Sequence, residues 1–256
     1  MDLYKKDTFL NKNFLYLFNR DIIEYDMEEA GFSLIQEFHL LPEKKISQLK
    51  TKGKQKRKIE IGLLQRKDEK FKKELKLAFE EARKLFFEEN HLEVNDILSI
   101  KKDAIFTQTR CDVEKIGKHI NFRKKHTYTS YLLLTEKKMK PIEIYYSPFS
   151  IEIKGISNSV LSYHEEYMLT LFRKFFHRME TTDSISVISY LRRFIDKYKY
   201  RELDLGYYRN FNVLSNYTIL GEPDVIYMEY DQKDIMDIDI SYNYFHILLK
   251  LLKIPL

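Results

Sequence analysis

The chain has 256 residues and a formal net charge of +5, from 44 Lys+Arg against 39 Asp+Glu. That length allows one large domain or two modest ones with a sizeable core, and a 44% apolar share with only 7 Gly and 5 Pro excludes a disordered, fibrous or linker-like chain. The single cysteine, Cys111, excludes an internal disulfide framework and a multi-cysteine zinc site. No apolar run approaches the ~20 residues of a membrane span, and the first residues lack the basic-then-apolar order of a signal peptide. The composition points to a soluble protein of a reducing compartment, with no membrane partner.

In chain order, residues 9–18 are apolar and aromatic but too irregular to assign. Ile22-Ile23-Glu24-Tyr25-Asp26-Met27 reads as a strand. Ala30-Gly31 breaks it, and Phe32, Ile35 and Phe38 predict a short helix that Pro42 ends. A Lys-rich loop, residues 44–58, is expected next. Phe71, Leu75, Ala78, Phe79, Ala82, Leu85 and Phe86 fall at helical spacing and predict a helix over 67–90, with Asn90 at its end. Ile97–Ile100 and Ala104–Thr107 flank Lys101-Lys102-Asp103 and read as a tight hairpin. Further strands are expected at 119–123, 129–134, 142–146 and 151–154. After Gly155 the period returns to helical. One stripe runs through Leu161, His164, Met168, Leu171, Phe175 and Met179, with Ser157 or Asn158 as N-cap. Another runs through Ile185, Ile188, Leu191, Ile195 and Tyr198, and a last helix is expected over 242–252. The fold class is therefore α+β to about residue 155, followed by a helical domain over 156–256.

The charge is polarised. Residues 44–58 carry eight Lys/Arg and no acid, and Lys115, Lys118, Arg123, Lys124 and Lys125 form a second acid-free run. Glu222, Asp224, Glu229, Asp231, Asp234, Asp237 and Asp239 face only Lys233. Basic runs with Phe122, Tyr128 and Tyr131 close by suit a phosphate backbone with stacked bases, and equally suit solvated loops. Tyr198-Lys199-Tyr200-Arg201 and Tyr207-Tyr208-Arg209 interleave aromatics with cations in the same way. The acidic stretch suits a solvated surface or a partner-binding tail. The seven His show no zinc-ligand spacing, Cys111 has no local support as a nucleophile, and no glycine-rich phosphate loop is present.

Two acids stand out. Asp26 ends an apolar strand and Asp103 sits at a hairpin tip, and adjacent strands in a small sheet would bring them side by side. A pair of Mg²⁺ ions would neutralise such carboxylates and support phosphoryl transfer. The other reading is local: Asp at a strand end or turn commonly bonds nearby backbone N–H groups. Glu28 and Glu29 fit the start of the following helix.

Asp26-Met27-Glu28-Glu29-Ala30-Gly31-Phe32-Ser33-Leu34-Ile35 resembles the first palm motif of family B DNA polymerases. Lys101-Lys102-Asp103-Ala104-Ile105-Phe106 resembles their third motif, Lys124-Lys125-His126-Thr127-Tyr128 is similar to their Lys-x-Tyr element, and Ile153-Lys154-Gly155-Ile156 is similar to the Lys-Gly element that leads into the thumb. The four occur in family order over about residues 22–176. The resemblance implies a palm-like domain (1–155) with a fingers-like helix (67–90), then a thumb-like domain (156–256). It implies template-directed nucleotidyl transfer, with Asp26, Asp103 and the Met27 carbonyl as ligands of two Mg²⁺ ions. Lys124, Lys125, Tyr128, Lys154 and Gly155 would hold the primer–template, and Arg66, Lys67 and Lys70 would meet a nucleoside triphosphate. A minimal viral enzyme of the host cytoplasm is implied. Lys101 stands where the family has an acid, the fingers string Lys-x-x-x-Asn-Ser-x-Tyr-Gly is absent, and Gly31 or Phe32 occupies the place of the sugar-excluding tyrosine. Only 25 residues precede Asp26, which leaves no room for a proofreading domain. The alternative is a catalytically inactive nucleic-acid-binding, regulatory or interaction protein on the same scaffold, with a protein partner.

Overall fold

The computed structural model describes residues 2–136, 139–155 and 158–200, together with Glu202. Ser157, the side chains of Leu161, His164, Met168, Ile195, Tyr198 and Lys199, the string at 207–209, the acidic stretch and the helix expected at 242–252 lie outside that description. The fold class is α+β as the sequence predicts, with antiparallel strands. The chain forms two compact units, Met1–Phe14 with Arg20–Tyr128, and Leu15–Asn19 with Thr129–Leu256. The sequence-based division falls later, after residue 155.

In the first unit, β1 (Thr8–Leu10), β3 (Ile97–Lys101), β4 (Ala104–Thr107), β2 (Tyr16–Met27) and the start of β5 (Phe122–Glu136) lie side by side in that order. Alternation along β2 sends Ile23, Tyr25 and Met27 into the core and leaves Glu24 and Asp26 on the other face. The core is closed by α4 (Glu69–Glu89), whose Phe71, Leu75, Ala78, Phe79, Ala82 and Phe86 form the buried stripe the spacing predicts. Asp68 caps this helix, its carboxylate accepting the Phe71 amide at 3.0 Å. Phe86 packs between Tyr25 and Phe122, with ring centroids 5.5 and 4.4 Å away. Burial of each such ring stabilises by about 1.5–3 kcal/mol. The short helix expected after Gly31 is α1 (Ala30–Glu37).

The basic run is not a loop. It forms α2 (Glu43–Lys50) and most of the first half of α3 (Lys54–Lys67), separated at Thr51–Gly53. Lys, Gln and Arg are good helix formers, and Ile46, Leu49 and Ile61 suffice to anchor the two helices to the core. The strands expected at 119–123 and 129–134 also differ from expectation, because a single long β5 runs through the exposed Arg123–Thr127 between them.

In the second unit, β5 continues into β6 (Met139–Ser147) and β7 (Ser150–Lys154) as antiparallel neighbours. Leu132, Leu134, Ile142, Ile144 and Tyr146 pack against Phe172, Phe175 and Phe176 of α5 (Asn158–Thr181) and Val187 and Leu191 of α6 (Ser184–Lys199). Tyr146 and Phe176 stack at 4.9 Å. The end of α5 is tied to β5 through Glu180, whose Oε1 accepts the Thr129 and Ser130 hydroxyls at 2.6 Å each. No helix among the described residues is long and apolar enough to cross a membrane.

Candidate active site

The β2–β4 ladder pairs Asp26 with Ala104, so Asp103 lies one residue beyond the register. The Met27 amide donates to the Asp103 carbonyl at 2.9 Å and ties the strand end to the hairpin. The two acids that the sequence singles out are therefore neighbours. Their charges interact: burial, and then the Asp103 charge, hold the Asp26 carboxyl above the usual carboxylate range, and Lys125 opposes both.

The hairpin itself is a two-residue turn at Lys102 and Asp103, with Lys102 in the left-handed region at φ +59°. A non-glycine residue there needs support. It comes from Arg83 of α4, whose guanidinium is fully buried. Arg83 Nη1 donates to the Lys102 carbonyl at 2.9 Å, Nε to the Tyr4 carbonyl at 2.7 Å, and Nη2 to Asp7 at 3.1 Å. The Lys102 amide donates to the Asp7 carbonyl, and its ammonium lies 4.9 Å from the centre of the Phe79 ring.

Asp26, Met27 and Asp103 line a cavity of about 510 Å³ together with Lys54, Arg57, Lys58, Ile61 and Gln65 of α3 and Gly31 and Phe32 of α1. Asp26 comes from the end of β2, Asp103 and Lys102 from the hairpin turn, Glu29 from the residue before α1, and the other cations from α3. Asp26 also borders a second cavity of about 360 Å³, shared with Glu28, Gln36, His119 and Arg123. Arg57 is fixed on three sides. Its Nη2 donates to both oxygens of Glu29 at 2.9 and 2.6 Å, its Nη1 to the Lys52 carbonyl at 2.9 Å, and its guanidinium lies 4.8 Å from the Phe32 ring centre.

The remaining predicted site residues are distributed unevenly. Lys124 is exposed on β5. Lys125 donates to Glu24 at 3.0 Å, and the buried Tyr128 donates to the other Glu24 oxygen at 3.3 Å, so a buried carboxylate occupies both. Lys154 pairs with Glu152 at 2.9 Å in the second unit. Gly155 there has φ +97°, and a Cβ on it would stand 2.1 Å from the Pro141 carbonyl oxygen, so glycine is required for the backbone alone. Arg66 and Lys67 end α3, and Lys70 lies in the first turn of α4, 3.7 Å from Glu74; none of the three lines the cavity. The cations that do line it are Lys54, Arg57 and Lys58 of α3 and Lys102 of the hairpin turn. The spacing of the first three with Ile61 and Gln65 marks one face of a helix, a signal present in the sequence but hidden by reading the run as a loop.

Cys111 is buried, and burial pushes its thiol up to about 12, which leaves it an inert core group. Among the described residues, no group of three or more His, Cys, Asp or Glu side chains is arranged to hold a metal. Asp26 and Asp103 form a two-carboxylate set of hard oxygen donors. This suits Mg²⁺, which commonly binds through one or two carboxylates and completes its shell with water and substrate phosphates.

No curated protein matches the chain. The whole length, residues 1–256, matches the family described as bacteriophage PBS1 gene 130 protein. A viral origin, one of the expectations above, agrees with that phage description. The chain belongs to the bacteriophage PBS1 gene 130 protein family.

Proposed function

We propose that the first unit is a polymerase-like palm that performs template-directed nucleotidyl transfer, with Asp26 and Asp103 as the ligands of two Mg²⁺ ions. The observation that carries this reading is the placement of the two acids side by side, at the end of β2 and in the adjoining β3–β4 turn, at the edge of a cavity lined by cations of α3. The cavity volume falls within the ~300–1,000 Å³ of small-molecule sites. Lys54 and Lys58 supply positive charge for a triphosphate, and Asp26 and Asp103 supply the negative set for cations. Asp26 borders both cavities, which suits a reaction that joins two substrates at one carboxylate: a nucleotide from the α3 side and a primer end from the side of Arg123.

In this reading the primer 3′-oxygen bonds to the α-phosphorus and pyrophosphate leaves. When bound, Mg²⁺ supplies activation of the hydroxyl and charge neutralisation at the phosphates. The chain contributes positioning. The Met27–Asp103 hydrogen bond and the Arg83 clamp fix the backbone that carries the two carboxylates before substrate arrives. Lys124 and Arg123, exposed or half-exposed on β5, supply phosphate contacts for the primer–template. The thumb-like reading of the second unit rests on the helices α5 and α6 after the Lys154-Gly155 element.

The test is extension of a 5′-labelled primer on DNA and RNA templates with Mg²⁺ and each nucleotide set. Extension by the wild-type protein supports the enzyme. Salt-sensitive binding of the primed template without extension favours the second reading, a nucleic-acid-binding protein on a polymerase-like scaffold. That reading draws on Lys101, which occupies the end of β3 where the resembled family carries an acid.

A further inference from the structure

We propose that Glu29 stands in for a phosphoryl group: it holds Arg57 at the cavity in the absence of ligand, and an entering polyphosphate takes Arg57 from it. The proposal rests on the cavity being a polyphosphate site, and adds to that reading a partner exchange that gates it.

The Glu29–Arg57 contact occupies one arm of the guanidinium, an arm that a phosphoryl group can also take. A single guanidinium nitrogen meets both carboxylate oxygens, at 2.9 and 2.6 Å. Arginine donates to carboxylate and to phosphate oxygens from the same set of N–H groups. The guanidinium is already oriented: Nη1 is anchored on the Lys52 carbonyl, and the plane rests against Phe32 at 4.8 Å. Loss of Glu29 would therefore leave Arg57 in place. Its Nε is buried without a hydrogen-bond partner, a donor that the pair with Glu29 does not satisfy. Lys54 and Lys58 line the same cavity, and neither has an ion-pair partner among the described residues. A ligand with several phosphoryl groups thus meets the ammoniums of Lys54 and Lys58, that of Lys102 over the Phe79 ring, and one engaged guanidinium.

Glu29 is also held under strain. It sits at φ +44°, ψ +40°, in the left-handed region, immediately before α1. Its own backbone carbonyl accepts the Phe32 and Ser33 amides at 2.7 and 3.1 Å, so the turn persists without the side-chain pair. The carboxylate is free to leave Arg57 while the backbone stays.

The experiment is calorimetric titration of the full-length protein with sodium tripolyphosphate, without nucleic acid. Glu29→Gln removes the competing charge and is expected to bind about 5- to 10-fold tighter than wild type. Glu29→Gly keeps the left-handed turn without strain and should tighten to a similar extent. Arg57→Gln should weaken binding by at least about 10-fold. Unchanged or weaker binding by both Glu29 variants, wild-type affinity in Arg57→Gln, or no binding by any of the proteins would overturn the exchange. Primer extension reports separately on the reaction. Tightening in both Glu29 variants without extension keeps the exchange and removes the enzyme; extension with unchanged affinities does the reverse.

Discussion

Asp26 and Asp103 stand one residue apart across the β2–β4 ladder, locked by the Met27 amide on the Asp103 carbonyl at 2.9 Å. Their side chains are 77 positions apart in sequence, yet the charge on Asp103 helps to hold the Asp26 carboxyl above its usual range. Burial of Asp26, and then its repulsion by Asp103, give the charged pair a cost that a bound cation would relieve.

That cost gives the cation-free protein a definite pH dependence. A raised folded-state pKa means that the folded protein binds this proton more tightly than the unfolded chain does. Stability therefore falls as pH rises from the ordinary carboxylate pKa through the raised value of Asp26. Asp26→Asn should remove this part of the slope and raise stability by about 0.5–1 kcal/mol at pH above the raised value of Asp26, the scale of relief at a strained site. Thermal melts of both proteins across pH 4–8 check it. A wild-type slope that the variant keeps in full would assign the effect to other groups.

Arg83 is expected to be the most sensitive residue of the hairpin support. It is fully buried and donates to Tyr4, Lys102 and Asp7. Arg83→Met strands two carbonyls and a carboxylate and should cost about 3–5 kcal/mol. Arg83→Lys lacks the fork and should recover less than half of that. Urea unfolding of the three proteins gives the comparison.

Gly155 makes a prediction for the second unit. Gly155→Ala would press a Cβ to 2.1 Å from the Pro141 oxygen at φ +97°. A loss of at least about 2 kcal/mol is expected. Gly31→Ala should be nearly neutral, because its Cβ would stand 3.5 Å from the Ile61 side chain, an ordinary contact.

Gly31 also bears on the sugar. It lines the larger cavity, and Phe32 beside it is covered by the Arg57 guanidinium. With no bulky side chain at Gly31, weak discrimination between ribo- and deoxynucleotides is expected. Extension rates with the two nucleotide sets should agree within about 10-fold. Strict use of deoxynucleotides would contradict the assignment of this position.

The sequence makes some of this structure readable and conceals the rest for physical reasons. Helix α4 is legible because its apolar residues repeat with the helical period, and the β3–β4 hairpin because two short apolar runs flank Lys101-Lys102-Asp103. Helices α2 and α3 are not, because so few of their residues reach the core and the polar face of α3 lines a cavity. The loop reading hides Lys54, Arg57 and Lys58 as cavity-lining residues, while Arg66, Lys67 and Lys70 do not line that cavity. Asp26 and Asp103 can each be found in the sequence, but their adjacency depends on a non-local strand register that no local pattern encodes. Tyr128 shows the converse: an aromatic beside lysines suggests a base-stacking surface, while its burial and its bond to Glu24 make it part of the sheet's interior.

The most direct measurement is Mg²⁺-dependent primer extension by wild type, Asp26→Asn and Asp103→Asn, with binding of the primed template measured alongside. The account predicts extension by wild type, loss of at least about 1,000-fold in each variant, equivalent to ~4 kcal/mol of transition-state stabilisation, and template binding equal to or tighter than wild type as phosphate repulsion falls. Normal extension by the Asp26→Asn protein would contradict it.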